Sequence, residues 1–139
     1  MSCFFCDAIA NKDQYALIYN DSEFGILMDQ YPIKTGHLLL FPLEHIPDIM
    51  ELSLSRLARL MELAVKLSYA LKRTYCVEKI GLFTAGQATT EHGHMHLLPL
   101  SEGLKKTFEG LSIRERPLID RITLMNEGQQ ILSNSTIAV

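Results

Sequence analysis

The sequence predicts an α+β fold: five short strands, one long helix and a second helix near the C-terminus. Three observations carry this. Short apolar stretches bounded by turn residues lie on both sides of residues 53–75. Within 53–75 the apolar residues recur instead at three- and four-residue steps. The order is therefore strands, helix, strands, helix, which fits α+β better than a parallel α/β sheet.

The elements follow in order. "YALIYNDSEFGILMDQYP" reads as two strands about an Asn-Asp-Ser-Glu turn, and "GHLLLFP" as a third. Leu38 to Phe41 is an unbroken apolar run, so the third strand is expected to be covered on both faces. Leu57, Leu60, Ala64, Leu67 and Leu71 form one stripe of an amphipathic helix. Ser53 suits its N-cap, and Lys72 and Arg73 suit its last turn. "KIGLFTAG" and "HGHMHLLP" read as two more strands joined by a tight loop. Residues 117–133 read as helical, with a polar tail beyond. No repeat, low-complexity segment or Gly/Ser linker divides the chain, so residues 1–139 are expected to form a single domain.

Composition narrows the function. An apolar fraction of 47% with 21% charged residues is that of a globular protein. The net charge of −3 argues against a binder of nucleic-acid polymers, though a locally positive pocket for a small anion remains open. No apolar run approaches the length of a membrane span, and no basic start leads into an apolar stretch. Three cysteines are too few for a disulfide scaffold. A cytoplasmic protein without membrane partners is the expectation.

"TEHGHMHLLP" holds three of the five histidines, His92, His94 and His96, at two-residue spacing. On a strand these share one face, with neighbours about 6 to 7 Å apart. Such a row can address two atoms of one substrate, serve two adjacent sites, or supply three ligands to a metal. It can also be a chance polar run on a solvated face. "SCFFCDAIA" adds Cys3 and Cys6 in a C-x-x-C pair. Two such thiolates can grip a tetrahedral ion if two more ligands come from elsewhere, and spare histidines exist. Two buried thiols beside Phe4 and Phe5 are the plain alternative. A thioredoxin-type pair would follow a strand and open a helix, whereas this one starts the chain. Cys76, next to Tyr75, reads as an inert buried thiol.

"HGHMHLL" resembles the histidine triad (HIT) pattern, His-x-His-x-His followed by two apolar residues, with Gly93 where that family usually has an apolar residue. "CFFCDAIA" and "ILMDQYPIKTGHLLLFPLEH" occur in the order the family shows, so the similarity covers about residues 3–100, with 101–139 as a helical C-terminal extension. The resemblance implies an antiparallel sheet of about five strands with a long helix, and homodimers built through that helix. Leu54, Met61 and Val65 on one side of the stripe, and Leu63 and Ala70 on the other, agree with a second apolar surface there.

It further implies a nucleotide hydrolase or transferase acting at the α-phosphate of nucleoside phosphoramidates, dinucleoside polyphosphates or related conjugates. The ligand would be a small purine nucleotide or its conjugate. By match to the family's motifs, Cys3, Cys6, His45 and His92 would hold a structural zinc. His94 would attack phosphorus to give a covalent nucleotidyl-imidazole, as neutral imidazole can. His96, with His37, would assist through positive charge and protonation of the leaving group. Asp29 would accept hydrogen bonds from the ribose hydroxyls, and its plain alternative is a turn residue. Gln87 would reach the phosphate, and Thr89 or Thr90 would meet the leaving group.

The chain departs from the family before the triad. "GLFTAGQATTEH" has no asparagine, its loop is shorter, and Gln87 lies five rather than four residues before His92. Those departures favour a second reading, a non-catalytic nucleotide-binding or regulatory protein of the same fold. The complete triad with His37 favours the enzyme. Beyond residue 100, Lys105, Lys106, Arg114 and Arg116 are either solvated charges or contacts for substrate phosphates.

Overall fold

The computed structural model describes residues 3–84, 92–109 and 116–137. Five strands form one antiparallel sheet: β1 (Leu17–Asn20), β2 (Phe24–Met28), β3 (Leu38–Pro42), β4 (Lys79–Phe83) and β5 (Met95–Leu100), in the order β1-β2-β3-β5-β4. The helices are α1 (Phe4–Ala10), α2 (Leu54–Tyr75), α3 (Leu104–Phe108) and α4 (Arg121–Ser133). The β1–β2 turn is closed by Asp21, whose carboxylate accepts from the backbone N–H groups of Glu23 and Phe24 at 2.7 Å each.

β3 is the centre of the sheet, and all five of its residues are buried. Leu38 and Leu40 belong to the larger core with Leu60, Ala64, Leu67 and Leu71 of α2. Leu39 and Phe41 belong to a smaller core on the opposite face, with Phe5 and Ala8 of α1. The unbroken apolar run therefore has the cause expected of it: successive residues enter different cores. Register places His96 opposite both Leu39 and Phe83. Residues directly opposite share a face, so His96 stands on the α1 face of the sheet. His37 shares that face with Leu39 and Phe41 by alternation.

α2 begins as expected, with the Ser53 hydroxyl accepting from Arg56 N–H at 3.3 Å. It ends at Cys76, which adopts the left-handed conformation with φ of 54°. Cys76 is exposed, not the buried thiol expected, because the C-cap turns it off the apolar stripe. Leu63 and Ala70 are buried in the larger core, so only the Leu54, Met61 and Val65 side of the stripe, joined by Tyr69, stays exposed. The helix expected over 117–133 starts only at Arg121. Asp120, itself extended at φ −68° and ψ 154°, caps it by accepting from Thr123 N–H at 3.0 Å. α1 and α3 were not expected, being too short to show a helical period. Among the described residues no helix is long and apolar enough to cross a membrane.

Candidate active site and metal centre

The triad does not lie wholly within a strand. β5 begins at Met95, and His92 and His94 precede it, outside the ladder. Other contacts replace the missing pairing. Thr84 Oγ1 donates to His94 O at 2.6 Å, and Gly93 N–H donates to Ile46 O at 2.6 Å. The second bond draws in the loop that follows His45. A Cβ on Gly93 would sit 2.6 Å from Ile49 N and 2.9 Å from Asp48 C, so only glycine lets that loop pack against the triad. This accounts for the departure from the apolar residue usual there.

That packing closes a cluster of Cys3, Cys6, His45 and His92, whose ligand atoms all lie within 4.8 Å of one another. The separations are 3.3 Å for Cys3 Sγ to His92 Nδ1, 3.4 Å for Cys6 Sγ to His45 Nδ1, 3.6 Å for Cys6 Sγ to His92 Nδ1 and 3.2 Å between the two Nδ1 atoms. A tetrahedron with zinc–nitrogen and zinc–sulfur bonds of about 2.0 to 2.3 Å has edges of roughly 3.3 to 3.8 Å, so the donors fit such an ion. His92 Nε2–H donates to Pro42 O at 2.7 Å, which leaves the Nδ1 lone pair facing the cluster. Burial and the neighbouring Cys3 push the Cys6 thiol up to about 11, and a divalent cation at the cluster would reverse that by favouring thiolate. Cys3 also caps α1, accepting from Cys6 N–H at 3.5 Å, so the short helix and the cluster position one another.

The remaining imidazoles lie further along the same face. His94 Nδ1–H donates to the carbonyl of His92 at 2.8 Å. Its Nε2 therefore carries the lone pair. Phe5 of α1 packs on the His94 ring with centroids 4.8 Å apart. His37 Nδ1 accepts from Ile33 N–H at 3.1 Å, so its proton is on Nε2, which donates to His96 Nδ1 at 2.8 Å. His96 is then left with a proton on Nε2. The His94 and His96 rings are 5.0 Å apart between centroids. Phe83 stacks on His96 at 4.5 Å and an interplanar angle of 8°. The Ile33 amide thus sets the tautomers of His37 and His96, and the His92 carbonyl that of His94, leaving a nucleophilic nitrogen on His94 and a donor on His96.

His37 and His96 are both pushed down to about 3, chiefly by burial and further by neighbouring positive charge, including Arg116. Both shifts favour the uncharged imidazole at neutral pH, and His96 keeps a hydrogen-bond donor at Nε2. His92 is lowered as well, mainly by burial. Asp29 lies at the end of β2 with Oδ2 3.5 Å from His37 Nε2, while its Oδ1 accepts from Tyr31 N–H at 2.8 Å. It therefore closes a turn and also reaches the site. Gln87, Thr89 and Thr90 lie outside the described residues.

Several participants were not anticipated from the sequence. Phe83, the Pro42 carbonyl, Thr84 and the Ile33 amide all act through register or backbone geometry. Phe83 alone carried a readable signal, since pairing the last two strands puts it beside His96.

A family model for the HIT domain matches residues 11–103. The protein called hit from Bacillus subtilis is 30% identical over 105 residues, covering 70% of this chain and 70% of that one. A hypothetical histidine triad nucleotide-binding protein from Sulfolobus tokodaii superposes with a TM-score of 0.76 at 25% identity, over 95% of this chain and 91% of that one. A zinc-bound histidine triad family protein from Mycobacterium smegmatis superposes with a TM-score of 0.73 at 22% identity, over 96% and 93% of the two chains. The matched stretch begins after the C-x-x-C pair and ends just past β5, taking in the sheet, the long helix and all five histidines; the chain belongs to the HIT domain family.

Proposed function

We propose that the protein is a nucleotidyl hydrolase or transferase, cleaving at the α-phosphate of nucleoside phosphoramidates, dinucleoside polyphosphates or related purine nucleotide conjugates. One observation carries the reading: the hydrogen bonds that leave His94 Nε2 unprotonated beside a neutral His96 whose Nε2 bears a proton. His94 Nε2 attacks phosphorus. A phosphorus–nitrogen bond forms as the bond to the leaving group breaks, and the leaving group departs with the electron pair. His96 Nε2–H donates a hydrogen bond to the departing atom or a phosphoryl oxygen, held by His37 and by the Phe83 stack. Water then attacks phosphorus, releasing the mononucleotide and restoring His94.

In this reading Asp29 Oδ2 receives the ribose hydroxyls, while Gln87 and Thr89 contact the phosphate and leaving group. Cys3, Cys6, His45 and His92 hold zinc as a structural ion that ties α1 and the His45 loop to the triad. Its chemistry is to fix those ligands, and it takes no part in the reaction. The exposed apolar side of α2 joins two copies into a homodimer.

The test is turnover of an adenosine phosphoramidate by wild type and His94→Ala. His94→Ala is expected to lose turnover while keeping its fold and nucleotide binding. His96→Ala is expected to lose about 10²- to 10³-fold, the usual worth of one preorganised donor. A labelled nucleotidyl group is expected on His94 after a quench that avoids acid. Near-normal turnover by His94→Ala would remove the mechanism. Nucleotide binding without turnover in the wild type would instead indicate a binding protein.

A further inference from the structure

The extension beyond the matched domain brings an arginine to the imidazole face. Ile119 N–H donates to Gln30 O at 2.9 Å, which pins the segment around Pro117 alongside the end of β2, next to Asp29. Arg116, three residues earlier, has its Nε and Nη1 buried, with no hydrogen-bond partner among the described residues. A guanidinium does not shed its charge on burial. Arg116 is half-buried as a residue, but guanidinium nitrogens shielded from water without partners are costly, and where they persist they call for a counter-ion or a functional cause. Its charge is felt at both His37 and His96, which sets it beside these two imidazoles.

The sign of the expected ligand follows. The ligand atoms of Asp29, His37 and His96 lie within 4.8 Å of one another, which by spacing alone would suit a metal ion. However, His37 Nε2 is committed as the donor to His96, and the adjacent guanidinium repels a cation. Burial favours the neutral forms of His37 and His96, so an anion entering beside them would find its charge complement in the arginine.

We propose that the Arg116 guanidinium binds a phosphate oxygen of the substrate, as a cation supplied to the HIT site from outside the matched domain. The planar fork presents two or more N–H groups to phosphate oxygens, which a lysine ammonium does only as a point charge. This rests on the nucleotide reading of the site, but its test does not require turnover.

Affinities for adenosine, AMP and ADP are measured by calorimetry for wild type, Arg116→Gln and Arg116→Lys. Arg116→Gln is expected to weaken the phosphorylated ligands by roughly tenfold to a hundredfold, the range of a hydrogen bond to a charged group, while leaving adenosine unchanged. Arg116→Lys is expected to fall between, and it carries the test if Arg116→Gln does not fold. Weakening of AMP assigns the contact to the α-phosphate, and weakening of ADP alone assigns it to the β-phosphate. Unchanged affinity for both, a parallel loss with adenosine, or a wild type that binds no adenosine phosphate overturns the inference. Equal kcat/KM on a conjugate for wild type and Arg116→Gln overturns it too, and leaves the hydrolase reading intact. Arg116-dependent binding without any turnover does the reverse.

Discussion

Gly93→Ala is expected to destabilise the protein out of proportion to one methyl group. The added Cβ would meet Ile49 N at 2.6 Å and Asp48 C at 2.9 Å, both backbone atoms that no rotamer change can move aside. Overpacking of this kind costs about 1 to 3 kcal/mol. Moving the loop to relieve it would release the 2.6 Å bond from Gly93 N–H to Ile46 O, costing about 1 kcal/mol more. A total of about 2 to 4 kcal/mol can be converted to temperature. At about 2.1 cal/mol/K per residue, a chain of 139 residues unfolds with an entropy near 0.3 kcal/mol/K, so Tm is expected to fall by about 7 to 14 °C. Because the loop also carries His45, metal content measured on the purified variant is expected to fall with it. Gly81→Ala is the control, since its Cβ would meet only the Leu100 side chain at 3.4 Å or more. Calorimetric melts of wild type and both variants, with bound metal assayed in parallel, decide the matter. A Gly93→Ala protein melting within 2 °C of wild type with its metal retained would show that the loop does not depend on this contact.

Three further outcomes are expected. Cys6→Ser is expected to lower thermal stability more than it lowers kcat of the folded fraction, and purified wild type to hold about one zinc per chain by elemental analysis; metal-free wild type of equal stability would contradict this. Below pH 6.5 the unfolded chain protonates its histidines, whereas His37 and His96 in the folded state stay neutral down to about 3. Stability is therefore fully present above about pH 6.5 and declines as pH falls towards 3, by up to about 1.4 kcal/mol per pH unit for each group; urea melts of metal-free His37→Asn are expected to show a shallower decline than wild type, and an unchanged slope would refute the assignment. Val65→Glu on the exposed side of α2 is expected to convert a dimer into a monomer by light scattering at micromolar concentration, and a monomeric wild type would remove that interface altogether.

Much of the fold was legible because its elements obey simple periods. β3 reads as doubly covered because its run is unbroken, and α2 reads as a helix because its stripe is long. What was not legible depends on contacts between residues distant in the chain. His92 and His94 alternate as strand residues do, yet they fall outside the ladder because β3 pairs only as far as Met95 and β4 as far as His96. The same holds in the site. Residue types indicated a histidine cluster and a Cys2His2 set, and the structure brings both together. The protonation pattern was not readable, since it depends on the Ile33 amide and on burial. Arg116 was visible only as one of several charges after residue 100, because a sequence does not say which cation loses its water.

β3 also acts as a ruler between two kinds of chemistry. His37 immediately precedes it, Pro42 ends it with the carbonyl that orients His92, and His45 follows three residues later. Adding or deleting one residue within it would shift His37 by about 3.3 Å against Pro42 and turn it to the opposite face. No altered length of this strand can serve both centres, so insertions and deletions are confined to connections that the ruler does not span. Arg116 stands in the sequence between α3 and α4, outside the span that the ruler measures. Residues beyond the matched domain can thus vary while the spacing between the Cys3, Cys6, His45 and His92 cluster and His37 stays fixed.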